Sequence, residues 1–236
     1  MMEFTFLMPC LNEAATLAFC INEAQNAIAR LNLDAEVLIA DNRSTDGSPE
    51  IAIQSGARVV TVSERGYGAA LIGGIKAARG KYIIMGDCDG SYDFAHPDQF
   101  VEALRKGAKL VMGDRSKGGI EPGAMPWSHK WGVPLLSALA RWRFKTPVRD
   151  FHCGMRGFDR DTALELGLAC PGMEFATEMI ARFAQSGAEI VQVPTPLRKD
   201  KRPGKPHLRT IRDGFRHLKF IIFSHQYLSE NGRKSI

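Results

Sequence analysis

Three aspartates, Asp87, Asp89 and Asp93, crowd the stretch MGDCDGSYDF at residues 85–94, directly after the apolar run KYII. Side chains at i and i+2 of an extended chain project to the same side, so Asp87 and Asp89 can reach one hard cation. Mg2+ and Mn2+ favour such oxygen ligands, keep several waters and are usually completed by substrate phosphates. A metal-bound diphosphate would therefore account for paired carboxylates at the mouth of a buried strand. The plainer alternative makes all three aspartates turn formers in a loop rich in Gly and Ser. Their place after a buried run favours the ligand.

A second stretch, RGYGAALIGG, imitates a dinucleotide-binding loop through Gly66 and Gly68, but Leu71 stands where the third glycine of G-x-G-x-x-G belongs. Asp87 does lie roughly twenty residues on, where that motif places its ribose acid. Against it, the glycines follow the third strand of the pattern rather than the first. No G-x-x-x-x-G-K-[ST] loop occurs.

These groups need a frame. Apolar, β-branched runs EFTFLM, EVLIAD, RVVTVS, KYIIMG and KLVMGD alternate with amphipathic segments, the pattern of a parallel sheet covered by helices. Asn12 is expected to cap a helix with Leu17, Ile21, Ala24 and Ile28 on one face, and STDGSP to turn into a second helix. Ligands of open α/β sheets sit beyond the carboxyl ends of the strands. The working residues are therefore expected at 9–13, 41–46, 64–68, 87–93 and 114–117. From Lys117 the regular alternation stops in a segment rich in Gly, Pro and Trp. It returns with the helix EFATEMIARFAQSG and the strand AEIVQVPTPLR, followed by a basic loop, KDKRPGKPH, and a helix-like LRTIRDGFRHLKFIIF.

The chain has 236 residues, 44% of them hydrophobic, enough to bury one sizeable core. A net charge of +5 suits anionic partners such as phosphorylated ligands or an anionic membrane face, and no nucleic-acid partner is expected. Cys10, Cys20, Cys88, Cys153 and Cys170 are odd in number and lack C-x-x-C spacing, which argues against a disulfide framework or zinc site and fits a reducing cytoplasm. The N-terminus reaches Glu3 and Pro9 too soon for a secretory signal, and no apolar run is long enough to span a bilayer. The expectation is a cytoplasmic protein, soluble or peripheral on the inner membrane face.

The segments MPCLNEAATL, ADNRSTDGS, GYGAALIGGIKAARGKYIIMGDCDGSYDF, VRDFHCGMRGF and GMEFATEMI occur in the order found in family-2 glycosyltransferases. The chain most resembles the bacterial polyprenyl- or dolichyl-phosphate sugar synthases, over roughly residues 3 to 223. The resemblance implies a GT-A fold: an α/β, Rossmann-like, mostly parallel sheet flanked by helices, with acceptor-side helices and a C-terminal amphipathic helix. It implies a single domain in which 1–115 bind the nucleotide sugar, 116–208 face the acceptor and 209–236 form the amphipathic helix and tail. Pro9, Leu11, Glu13, Asp41 and Gly66 would hold the nucleotide. Asp87 and Asp89 would bind Mg2+ or Mn2+ and the donor diphosphate, with Cys88 between them where alanine is common. Two departures stand out: Arg43 occupies a position where relatives often have glycine, and similar enzymes often continue into transmembrane helices, whereas 13 residues follow Phe223 here.

The implied reaction is inverting transfer of a hexose from a nucleotide-diphosphate sugar to a polyprenyl phosphate. Asp89 would assist the leaving diphosphate, and Arg115 and Arg156 would meet phosphate on the acceptor side; a structural salt bridge is the alternative for each arginine. Lys130 matches a basic acceptor-side position only loosely. Asp150 and His152 suggest a dyad or, equally, loop capping. His207 is a candidate third metal ligand, and Arg202 and Lys205 candidate diphosphate clamps. A phosphate monoester is already anionic at neutral pH, whereas a saccharide hydroxyl would need a base, for which Glu174 or Glu178 are the candidates. A non-catalytic nucleotide-sugar binder is the third reading. In the last helix, Ile211, Phe215, Leu218 and Ile222 form an apolar stripe, and Arg209, Arg212, Arg216 and Lys219 a basic side, suited to an anionic bilayer surface.

Overall fold

A computed structural model describes residues 2–125, 127–202 and 210–230, with 127–131, 210–213 and 225–230 described as backbone alone. Strands β1 (Phe4–Cys10), β2 (Ala35–Asp41), β3 (Arg58–Thr61), β4 (Tyr82–Met85) and β5 (Leu110–Asp114) fall where the apolar runs place them. Helices α1 (Leu17–Arg30), α2 (Ser48–Gln54), α3 (Tyr67–Ala77) and α4 (Asp98–Arg105) lie between them. The second stretch contributes the turn α5 (Arg115–Gly118), α6 (Trp127–Phe144), β6 (Arg156–Asp159), α7 (Arg160–Glu165), α8 (Phe175–Gln185), β7 (Ile190–Pro194) and α9 (Thr210–Glu230).

All seven strands form one sheet in the order β3-β2-β1-β4-β6-β5-β7. β1 is parallel to β2 and β4, β2 to β3, and β5 to β7. β6 runs antiparallel between β4 and β5, pairing Met85 and Met112 with Arg156. Reversed in this way, β6 starts at the edge where its neighbours end, so the loop before it joins the loops after β1, β4 and β5. A four-residue strand containing Arg and Gly carries little strand signal, which is why the sequence pattern does not reveal it.

Two apolar layers cover the sheet. Phe6, Met8, Ile39 and Ile84 face α1, which buries Leu17, Cys20, Ile21, Ala24 and Ala27, while Ile28 packs half-buried at its margin. Leu7, Leu38, Ile83 and Met112 face the layer that holds Phe175, Met179 and Phe220. Asn12 is not the cap of α1. Thr16 holds that position, and Asn12, with a left-handed φ of 58°, ties two loops together by accepting from Thr45 N and donating its own N–H to Ser44 Oγ.

The buried face of α9 is His217, Phe220, Ile221 and Ser224, so the apolar stripe read from spacing is not the side that packs. Phe215 and Ile222 of that stripe are 67% and 55% exposed. Ile211 and Arg212 lie outside the described side chains, and Arg209 outside the described residues. The helix thus has a packed face and a second apolar face without cover among the described residues, and Trp142 and Leu135 of α6 are exposed as well. No described helix is long and apolar enough to cross a membrane.

Candidate active site

The carboxyl-end loops enclose a cleft of ≈ 1290 Å³. Of the expected nucleotide residues, Pro9, Leu11, Glu13, Gly66, Asp87 and Cys88 line it, as do Asp89, Arg115 and Arg156. Asp41 stays behind the wall: it is 3% exposed, and its carboxylate accepts from Arg43 N at 3.1 Å and Ser44 N at 3.3 Å. It shapes the loop whose Asn42, Arg43 and Thr45 face the cleft. Arg43 adopts a left-handed φ of 71°, the conformation for which glycine is the unstrained choice.

Gly66 and Gly68 serve close packing. A Cβ on either would overlap the carbonyl oxygens of Pro171 and Cys170, and Ala69 N donates to Pro171 O. The loop therefore seats the start of α3 against 170–172, and Gly66 N donates to Asn42 Oδ1 at 2.9 Å.

Asp87 sits deep in the cleft, its carboxyl pushed up to about 6 by burial and by the charge of Asp89, and held down in part by a hydrogen bond from the Tyr67 hydroxyl. A Cβ on Gly154 would meet Asp87 Oδ2 at 2.5 Å, so the loop before β6 can lie on this carboxylate only as glycine. Gly154 N donates to Tyr92 Oη at 2.7 Å, fixing that contact. Cys88 packs inward, donating its thiol to Pro9 O at 3.1 Å while its own carbonyl accepts from Thr16. Asp93 belongs to the fold: it pairs with Arg198 at 2.6 Å and accepts from Ala95 N.

Asp89 already meets a cation. Arg202 Nη2 is 3.2 Å from Asp89 Oδ2, and its other nitrogens reach Glu13 Oε1 at 2.9 Å and Asp200. Burial nevertheless pushes Glu13 up to about 7, against the pull of Arg202. Among the described residues no three His, Cys, Asp or Glu side chains converge to hold a metal. Two carboxylates fit a hard cation whose remaining ligands come from phosphate and water, and the guanidinium beside them fits the phosphate. His207 and Lys205 lie outside the described residues, and Lys130 outside the described side chains.

The far wall is cationic. Arg115 is bidentate to Asp150 at 2.6 and 2.8 Å, and that pairing holds its guanidinium charged despite burial. Arg156, 1% exposed, donates to the carbonyls of Cys153, Ala176 and Phe151 and so locks the loop before β6 to α8. Arg216 of α9 reaches Glu174 Oε2 at 3.1 Å. Glu178 is spent inside the fold, accepting from Ala169 N, Cys170 N and Arg182. Tyr67, Tyr92, Asp200 and His217 also border the site or its supports; the aromatic in RGYG and the one in DGSYD were the signals available for the first two.

Residues 5–167 match the family model described as Glycosyl transferase family 2. The chain belongs to glycosyl transferase family 2. It is a glycosyltransferase with the GT-A fold. It is 38% identical over 92% of its length to the low-salt glycan biosynthesis hexosyltransferase Agl6 of Haloferax volcanii, and spans 52% of that relative. It is 30% identical to the dolichyl-phosphate hexose transferase of the same organism, covering 94% of this chain and 96% of that one. Glucosyl-3-phosphoglycerate synthase from Mycobacterium tuberculosis, solved with Mn2+, UDP and glucosyl-3-phosphoglycerate, superposes with a TM-score of 0.70 at 25% identity, over 94% of this chain and 79% of that one.

Proposed function

We propose that this glycosyltransferase moves a hexose from a nucleoside-diphosphate sugar to a polyprenyl phosphate, with inversion at the anomeric carbon and with Mg2+ or Mn2+ at Asp87 and Asp89. The observation that carries the choice of acceptor is the engagement of Glu178: the buried carboxylate a hydroxyl acceptor would need as base is bound to two backbone N–H groups and Arg182. Glu174, the other candidate, is ion-paired with Arg216. A phosphate acceptor needs no base, because it arrives as an anion.

In this reading the cation supplies charge stabilisation for the departing diphosphate. Asp87 and Asp89 hold it, Tyr67 orients Asp87 through its hydroxyl, and Arg202 turns from Asp89 to the diphosphate oxygens. An acceptor phosphate oxygen forms the new bond to the anomeric carbon as the bond from that carbon to the nucleotide diphosphate breaks, and the bonding pair leaves with the diphosphate. Asn42, Arg43 and Thr45 border the nucleoside end of the cleft in this arrangement.

The exposed Leu135, Trp142, Phe215, Ile222 and Phe223 support peripheral contact with a membrane, where the acceptor's chain would reside. A second reading, a small phosphorylated acceptor, is favoured by the structural likeness to the phosphoglycerate-dependent synthase. The deciding experiment incubates the protein with a panel of nucleotide sugars, Mg2+ or Mn2+, and either short polyprenyl phosphates or small phosphate monoesters, and identifies products by mass. Glycosyl polyprenyl phosphate is the expected product; transfer to the small monoesters alone would replace the lipid acceptor.

A further inference from the structure

His152 is a half-buried side chain whose two ring nitrogens are both buried. It lies in the loop before β6, faces the cleft, and neither ring nitrogen has a hydrogen-bond partner among the described residues. Its ring packs edge-on against His217, with centroids 4.6 Å apart, and His217 Nδ1 is 2.8 Å from the Thr177 hydroxyl. Burying two imidazole nitrogens without partners costs free energy that a phenyl ring in the same space would not incur. A loop that keeps such a group at a cleft wall keeps it for what enters the cleft.

The surroundings state the charge of that ligand. Burial and the electrostatics of the neighbouring His217, Arg115 and Arg156 push the His152 ring down to about 3, against Asp150, so it is neutral and offers one N–H. Asp150 offsets Arg115, and Glu174 offsets Arg216, whereas the described hydrogen bonds of Arg156 go to uncharged acceptors. The wall is therefore short of negative charge next to an unfilled donor.

We infer that His152, backed by His217, forms with the Arg115 and Arg216 side of the cleft a subsite for the dianionic phosphate of a phosphate-monoester acceptor. The inference rests on the proposed phosphate acceptor and adds the residues that recognise it. Gly154, two residues on, lies against Asp87, so a phosphate held here is on the acceptor side of the donor site and in reach of it.

The test uses the whole protein with Mg2+ and the nucleoside diphosphate it accepts, and follows the histidine Cε1–H resonances as inorganic phosphate, a short polyprenyl phosphate or glycerol phosphate is added. Resonances identified as His152 and His217 through His152→Asn and His217→Asn should move to saturation with the phosphate species that bind. His152→Asn should raise the acceptor KM about tenfold, the scale of one hydrogen bond to a charged group, with little change in donor KM. His152→Phe should melt at or above the wild-type temperature while losing the same acceptor affinity, a combination that a purely structural histidine would not give. Phosphate binding that leaves both rings unmoved, or an unchanged acceptor KM in His152→Asn, would overturn the subsite. If polyprenyl phosphate is glycosylated with unchanged KM in that variant, the subsite falls and the lipid reading stands. If only a small monoester is used and the variant weakens it, the subsite stands and the lipid reading falls.

Discussion

Arg202 Nη2 lies 3.2 Å from Asp89 Oδ2, so the cation that this carboxylate meets in the structure is one the chain itself supplies. The same guanidinium holds Glu13 and Asp200. In the proposed metal site a divalent ion would have to take Asp89 from it. Arg202→Gln is therefore expected to bind Mn2+ about tenfold more tightly without nucleotide, a cost within the Coulomb range for partly buried charges, while donor KM rises by about tenfold or more from the lost diphosphate contact. Electron paramagnetic resonance of free Mn2+ and donor kinetics measure the two effects. Equal losses in both would show Arg202 to be a support and not a competitor.

In the proposed metal site the carboxyl of Asp87, raised to about 6, would have to lose its proton before binding a cation. Affinity for Mn2+ with the nucleotide should fall about tenfold per pH unit below 6. Stability of the metal-free protein runs the other way: a raised carboxyl contributes stability that is full below its unfolded value and is lost as pH rises through about 6, and Glu13 adds the same trend through about 7. The melting advantage of Asp87→Asn with Glu13→Gln over wild type should therefore widen between pH 5 and 7.5. A gap that stays constant over that range would contradict the assignment.

Asp41→Ala removes the acceptor for the Arg43 and Ser44 N–H groups in a loop where Arg43 is left-handed. The expected loss is about 1–3 kcal/mol in urea unfolding, the cost of stranding buried donors. Donor KM should rise because Asn42, Arg43 and Thr45 lose their frame, with kcat at saturation nearly unchanged.

Replacing Trp142, Phe215 and Phe223 together by Ser should leave the melting temperature close to wild type, since these side chains are 77%, 67% and 47% exposed. Binding to phosphatidylglycerol vesicles should drop by about a hundredfold, from about 1 kcal/mol for each partly inserted ring. Vesicle co-sedimentation measures this. Undiminished binding would move the contact to another face.

The parallel strands were legible because each is a continuous apolar run closed by polar residues, and the place of Asp87 and Asp89 on the cleft because they directly follow one such run. β6 was not, since four residues including Arg156 and Gly157 carry no alternation and are fixed by partners far along the chain. The packed face of α9 was not legible for a related reason: Phe215 and Ile222 keep helical spacing on the exposed side, while His217 and Ser224, polar by type, take the buried side through contacts such as His217 with Thr177. Spacing identifies which residues share a face. It does not say which of two faces meets the core.

The reversed strand β6 also constrains how such a chain can be cut and recombined. Among the described residues β4 and β5 have no ladder to each other, and β5 pairs with β6 and β7, both later in the chain. A fragment ending at residue 115 would leave β5 without a partner and β4 with an open edge, a surface prone to intermolecular pairing. During synthesis the proposed donor site would be complete only after residues near 200 have emerged and Arg202 can close on Asp89. Chimaeras that seek a new acceptor by exchanging residues 116–208 would replace a central strand of the donor's own sheet, so the exchange has to be made residue by residue at the cleft wall rather than by cassette.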